Sequence, residues 1–449
     1  MTTMLPTIHS AAADIRAGRA SPLDILEACL VRIDQREERV KAWVFVDRNA
    51  ARADAERATG ELRKGYDRGP LHGIPIGIKD IIDVYDWPTA AGSRRWAQSY
   101  ARHDAPVVQR LRQAGAVLVG KTVTTQYASF DPPPTRNPWN RDRTPGGSSS
   151  GSAAAVASGM CLGALGSQTG GSITRPASFC GVAGCKPTYG RVSKVGVLPL
   201  AHSMDHVGPI AYCVRDLAIL LHAIAGDEPS DPRTATGEVP DYLHVLQAPL
   251  RPPRLGRLHG LFDDKAAPVV HALMDSLAKE FTSAGATVVD VALPDSFSDV
   301  LTRHRTVMGV EAAEYHAPRL RRHPEEYLPN IRSLLEEGLA TTSQEYARCK
   351  AHQKQLTQDM EACFEGVDAL FTPAATGPAP SAATTGDPAF HSPWSYTGLP
   401  TVSLPARRDP DDMPLAIQLI GRRWAEPALF AVAAWCEQVL GYGTPLPPV

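Results

Sequence analysis

Between Thr135 and Ser172 the chain runs through a segment that few folds can house. A loop rich in proline, arginine, glycine and serine lasts to Gly151. An alanine-rich stretch follows from Ser152 to Ser158, then a short apolar run from Met160 to Leu165, then a second glycine loop from Gln168 to Ser172. That order predicts loop, helix, strand and loop in quick succession, the mark of an α/β core. Upstream, Gly73-Ile74-Pro75-Ile76-Gly77-Ile78-Lys79 alternates, so a strand here turns its isoleucines one way and Pro75, Gly77 and Lys79 the other. A lysine ending such a strand, on a face stripped of bulk, is unusual.

The flanks extend the same alternation. Ser21-Pro22-Leu23-Asp24 pairs an N-cap residue with proline at the first helical position, predicting a helix to about Arg39. A second helix is expected over about 48–64, another over 105–114, and a buried strand over 116–119. Later helices are expected at about 266–284, 298–317, 343–364 and from Pro427, with strands over 286–292, 369–372, 401–404 and 415–420. Two proline-rich stretches, 227–254 and 372–393, read as surface excursions that return to the β/α pattern. One domain over 1–449, with its core at about 70–225, is therefore expected.

Composition narrows the function classes. Lys plus Arg (46) and Asp plus Glu (48) nearly cancel, leaving none of the basic excess of a nucleic-acid binder. No apolar run approaches the ~20 residues of a membrane helix, and the first residues lack a basic-then-apolar secretory signal. Eight cysteines spread over 449 residues form no disulfide framework, which makes the cytoplasm the expected compartment.

Three motif matches fail on context. Gly115-Ala-Val-Leu-Val-Gly120-Lys121-Thr122 fits the phosphate-loop pattern by letter, but a helix precedes it and its middle residues suit a strand, so a nucleotide-dependent protein is a remote alternative. Gly147-Ser148-Ser149-Ser150-Gly151 fits the nucleophile-elbow pattern, yet no strand leads into it. The pairs His202/His206 and Cys180/Cys185 lack the partners and helical setting of a metal site; His202 and His206 read as loop.

What remains is a lysine at a strand end (Lys79), the run Gly146–Ser152 opening a helix, and Gly170-Gly171-Ser172 closing a turn, with Ser172 24 positions after Ser148. These residues resemble the amidase signature family. The likeness rests on Gly73–Asp80, Thr135–Gly159, Gly166–Ser193 and His202–Ala211, with further matches toward both ends. It implies a large mixed, twisted sheet covered by helices, and an amidohydrolase that needs no metal or organic cofactor. It places a Ser–cis-Ser–Lys triad on Ser172, Ser148 and Lys79, with the cis peptide at Gly147–Ser148. Relatives are often dimers, so a homodimer is the expected assembly.

The chemistry such a triad needs can be stated without the family. Serine is a poor nucleophile until a base takes its proton. Lysine serves only when neutral, which requires burial away from carboxylates. Strand alternation points Asp80 away from Lys79. Ser148 would relay a proton from Ser172 and later return one to the leaving nitrogen. Thr169, Gly170 and Gly171 are the expected oxyanion hole, where backbone N–H groups converge on one point.

Relatives mostly carry Asp before Thr-Gly-Gly-Ser and Arg two residues after the serine. This chain has Gln168 and Thr174 there, with Arg175 one place later. That combination resembles the malonamidase branch, in which an arginine at this offset holds a substrate carboxylate. The other reading is that Arg175 pins the loop through backbone carbonyls. Gln168, Ser149, Tyr127 and Phe130 are further expected substrate contacts. Amides bearing a carboxylate, carbamates, ureas and broad amides all stay open as substrates, as does a role as the amidase component of a transamidation complex.

Overall fold

The computed structural model describes residues 4–234, 237–443 and 445–448. Eleven strands form one mixed sheet: β1 (Trp43–Val46), β2 (Pro75–Lys79), β3 (Val117–Thr122), β4 (Gly163–Gln168), β5 (Ala183–Lys186), β6 (His206–Ala211), β7 (Arg254–Leu258), β8 (Thr287–Val291), β9 (Ala369–Pro373), β10 (Thr401–Arg408) and β11 (Pro414–Ile420). Their spatial order is β1-β3-β2-β4-β6-β5-β10-β11-β9-β7-β8. Two parallel groups, β3-β2-β4 and β8-β7-β9, are joined by antiparallel strands between them. None of the described helices is long and apolar enough to cross a membrane.

Strand β2 positions the chemistry. Its isoleucines Ile76 and Ile78 enter the larger core, whereas Val117, Val119 and Ala164 of its neighbours enter a second core with the helix Ser150–Ala157. Gly77 lies on that second side, where a Cβ would sit 3.0 Å from Thr122 and 3.5 Å from Ala164. The bare face lets the helix approach, and Ser152 fastens it by donating to the Leu165 carbonyl (2.9 Å) while its Oγ lies 2.7 Å from Thr122 Oγ1. Lys79, two residues beyond Gly77, falls on the same face as the start of this helix.

Several boundaries differ from expectation. The strand expected at Met160–Leu165 is Gly163–Gln168, because the helix C-cap at Ser158 and Gly159 at φ +69° hold 158–162 in a turn. His206 is in a strand, not a loop: residues 206–211 pair with β4 along its whole length. Strands β1, β5 and β7 and the helices Pro329–Ala340 and Ser392–Thr397 were not expected; β5 and Ser392–Thr397 are short and buried throughout and so show neither alternation nor an apolar stripe, whereas Pro329–Ala340 does carry one in Ile331, Leu334, Leu335 and Gly338.

The phosphate-loop pattern dissolves into β3. Gly120 lets the β1 backbone approach so closely that a Cβ would sit 2.1 Å from the Phe45 carbonyl. Lys121 is fully buried, pairs with Asp80 at 3.2 Å and donates to the Pro88 carbonyl and Thr89 Oγ1. A lysine so engaged within a ladder is not available to a phosphate.

Candidate active site

Lys79 ends β2 fully buried. Its Nζ lies 2.7 Å from Ser148 Oγ and 2.7 Å from Ser167 Oγ. Among the described residues no carboxylate pairs with it. Burial pushes its ammonium well below the ordinary lysine range, and the more distant charge of Asp205 only partly opposes this. The neighbouring Asp80 faces the other way and belongs to Lys121.

Ser148 follows a cis Gly147–Ser148 peptide. Gly146 precedes it at φ +80°, and a Cβ there would come within 2.8 Å of the Pro176 backbone. Three contacts fix this turn: Thr125 N–H donates to the Ser148 carbonyl (3.2 Å), Arg175 Nη2 to the Gly147 carbonyl (2.8 Å), and Ser149 N–H to the Ser172 carbonyl (3.2 Å). The last contact lays the Ser148 segment against the Ser172 loop. Ser172 is almost buried, with 7% of its surface exposed.

The glycine loop leaves the end of β4 and turns into the helix Thr174–Cys180. Gln168 shapes the turn: its Oε1 accepts from Ile173 N–H, Thr174 N–H and Thr174 Oγ1 at 2.9–3.0 Å. Thr169 is held from two sides, its hydroxyl donating to half-buried Asp205 (2.5 Å) and its carbonyl lying 2.8 Å from His304 Nε2. On the far side the His391 ring packs where a Gly171 Cβ would fall. With its outer groups anchored, the loop keeps its amides free: among the described residues none accepts from Gly170, Gly171 or Ser172 N–H.

Arg175 is buried and divides its donors. Nη2 bonds Gly147 and, more weakly, Thr385 Oγ1 (3.4 Å), whereas Nε and Nη1 have no partner among the described residues. Burial lowers its pKa to about 10, Asp387 partly opposing, so it stays charged at neutral pH. Ser149 spends its side chain on Ser167, donating to its carbonyl and accepting from its N–H at 3.2 Å. Tyr127 lies buried among Trp96, His316 and Tyr327, with its hydroxyl unpartnered. Phe130 is half-buried.

A cavity of about 220 Å³ lies beside this centre, lined by Ser167, Thr169 and Asp205 together with Ala128, Leu198 and Lys194; Lys79, Ser148, Ser172 and Arg175 do not line it. Tyr127 and Phe130 do not line it. Ser167, Asp205, His304 and His391 escaped the sequence reading. Ser167 and Asp205 sit inside the matching segments, but the two histidines come from distant elements with no local signal. Burial holds both imidazoles neutral, near 4 for His304 and near 3 for His391. His202 and His206 point to different partners, Glu311 and the Lys186–Gln168 region, and all eight cysteines are unpaired.

Comparison with known proteins identifies the family. The profile of the Amidase family matches residues 24–430. A glutamyl-tRNA(Gln) amidotransferase chain from Synechococcus sp. (strain WH7803) is 36% identical over 94% of each sequence. Peptide amidase from Stenotrophomonas maltophilia superposes with a TM-score of 0.86 at 30% identity, covering 98% of each chain. A chain of the vestigial protein complex that reveals the evolutionary origins of an s-triazine catabolic enzyme superposes at 0.91 with 31% identity, over 98% of this chain and 99% of that one. With a family profile spanning nearly its whole length and the signature segments assembled at one centre, the chain belongs to the amidase signature family.

Proposed function

We propose that this amidohydrolase cleaves small linear amides with Ser172 as nucleophile, Ser148 as proton relay and Lys79 as base. The observation that carries the reading is the Lys79 amine, buried without a carboxylate and 2.7 Å from Ser148 Oγ. Neutral Lys79 accepts the Ser148 proton and donates its own N–H to Ser167 Oγ. Ser148 in turn accepts the proton of Ser172, whose oxygen adds to the amide carbonyl. The developing oxyanion meets the open amides of the Thr169–Ser172 loop, where one donor is worth about 3 kcal/mol. The leaving nitrogen departs with a proton returned through Ser148, and water then hydrolyses the acyl-enzyme. No step calls on a metal or organic cofactor.

Two free donors on charged, buried Arg175 favour substrates bearing a carboxylate or a second carbonyl. Carbamates and ureas pass through the same attack and nitrogen departure, so they belong to the same panel. Eight unpaired cysteines suit a reducing compartment, and we place the enzyme in the cytoplasm as a homodimer.

The decisive experiment incubates the purified chain alone with amides, carbamates and ureas and follows ammonia or amine release. Ser172→Ala and Lys79→Ala should each lower kcat/KM by about 10³-fold or more with unchanged circular dichroism. An active Lys79→Ala enzyme overturns the assignment. Arg175→Ala should raise KM for acidic amides far more than for neutral ones; equal losses assign Arg175 to pinning Gly147. A second reading draws on the likeness to the amidotransferase chain: an amidase component that works only with partner chains. Turnover by the isolated chain excludes it.

A further inference from the structure

A second cluster of reactive side chains lies where the N-terminal helix Ile8–Arg16 meets the start of the helix Val214–Ile224, and the amide chemistry has no use for it. Asp216, fully buried, accepts from Ile8 N–H (2.8 Å) and His9 N–H (3.0 Å). His9 Nδ1 lies 3.1 Å from Asp216 Oδ1, 3.8 Å from Cys213 Sγ and 3.0 Å from Thr7 Oγ1. The three donor atoms of His9, Cys213 and Asp216 all fall within 4.8 Å of one another. Of the eight cysteines, Cys213 is the one that is not buried.

The two distances from His9 Nδ1, to Asp216 and to Cys213, lie close to edges of a small tetrahedron. With zinc–sulfur bonds of about 2.3 Å and zinc–nitrogen or –oxygen bonds of about 2.0–2.1 Å, tetrahedral angles put N and S about 3.6 Å apart and N and O about 3.3 Å apart. Each observed distance is within a few tenths of an ångström of its counterpart. Glu437 accepts from Val214 N–H (2.9 Å) and shares with Cys213 the lining of a cavity of about 220 Å³. Among the described residues the only ion-pair partner of Asp216 is His9, and Glu437 has none.

We propose that His9, Cys213 and Asp216 bind a zinc-class divalent cation, the fourth position going to Glu437 or to water from the shared cavity. A nitrogen, sulfur and oxygen set selects zinc over magnesium or calcium, which favour oxygen alone. Binding uses the Nδ1 lone pair, with the ring proton on Nε2, and releases the Cys213 thiol proton as the thiolate forms. The ion ties the first helix to the body of the molecule.

Cobalt(II), added to the full-length protein after chelator treatment, tests this. The expected spectrum has a thiolate-to-cobalt charge-transfer band in the near ultraviolet and tetrahedral d–d bands, both abolished by zinc. Cys213→Ser should remove the charge-transfer band, and His9→Ala should weaken cobalt binding by about tenfold or more, both with amide turnover retained. Zinc should also raise the Tm of the wild type and not that of the near-isosteric Cys213→Ser, a readout that holds even if His9→Ala loosens the helix. Absence of the band, or a Cys213→Ser protein with the same band and Tm shift, overturns the site.

Discussion

A lysine on the face that Gly77 keeps clear cannot hold its proton as a surface lysine does, because burial penalises the ammonium and no carboxylate repays it. The consequence is a pH profile. As the proposed base Lys79 must be neutral, so kcat/KM should fall on the acid side as it takes up a proton, with an apparent pKa well below the ordinary lysine value of about 10.4. A pH–rate series checks this; a limb at the ordinary lysine value would reassign the base. Folding follows the same sign. With the folded pKa depressed, stability is lowest where both states are protonated and rises with pH through the folded pKa toward the unfolded one.

At the scale of elements, the glycine loop keeps its amides open because its neighbours anchor everything else. Asp205 is central: one carboxylate accepts from Thr169 Oγ1, Leu200 N–H and Ala201 N–H. Asp205→Ala orphans three buried donors and should cost about 2–4 kcal/mol, read as a lower urea midpoint. It should also reduce kcat more than KM, since loop geometry matters most when charge develops on the oxyanion. A second element-level constraint lies where the helices Val300–Leu320 and Pro329–Ala340 cross: a Cβ on Gly338 would sit 2.0 Å from the Gly309 carbonyl. Gly338→Ala should force the helices apart, destabilise by about 1–3 kcal/mol, and disturb His304 on the first of them. Thermal unfolding and single-substrate kinetics measure both effects.

For the molecule as a whole, the sheet gathers the site by placing strand ends side by side. Lys79 closes β2, Gln168 closes the adjacent parallel β4, and the two loops meet beyond them, as expected at the carboxyl ends of parallel strands. The same sheet carries the Asp80–Lys121 pair in its interior. Lys121→Met leaves Asp80 buried and alone, and should cost about 3–5 kcal/mol. Calorimetry with ATP and magnesium should register no binding to the wild type.

How much was legible follows from how local each signal was. Lys79, Ser148 and Ser172 were singled out because the segments around them resemble the amidase signature family, and alternation alone aimed Asp80 away from Lys79. The α/β character followed from period and loop chemistry in the same way. What acts on those residues was not written locally. Ser167 as the second neighbour of Lys79, Asp205 and His304 gripping Thr169, and the antiparallel strands that join two parallel groups arise from segments far apart in sequence. Burial then overrode local pattern: it turned a phosphate-loop match into a ladder strand, gave Gln168 and Ser149 to the backbone, and divided Arg175 between Gly147 and open donors. Sequence determines which groups can react, because covalent identity and backbone freedom are local. Tertiary structure decides which do, because desolvation and hydrogen-bond partners exist only once distant segments are packed together.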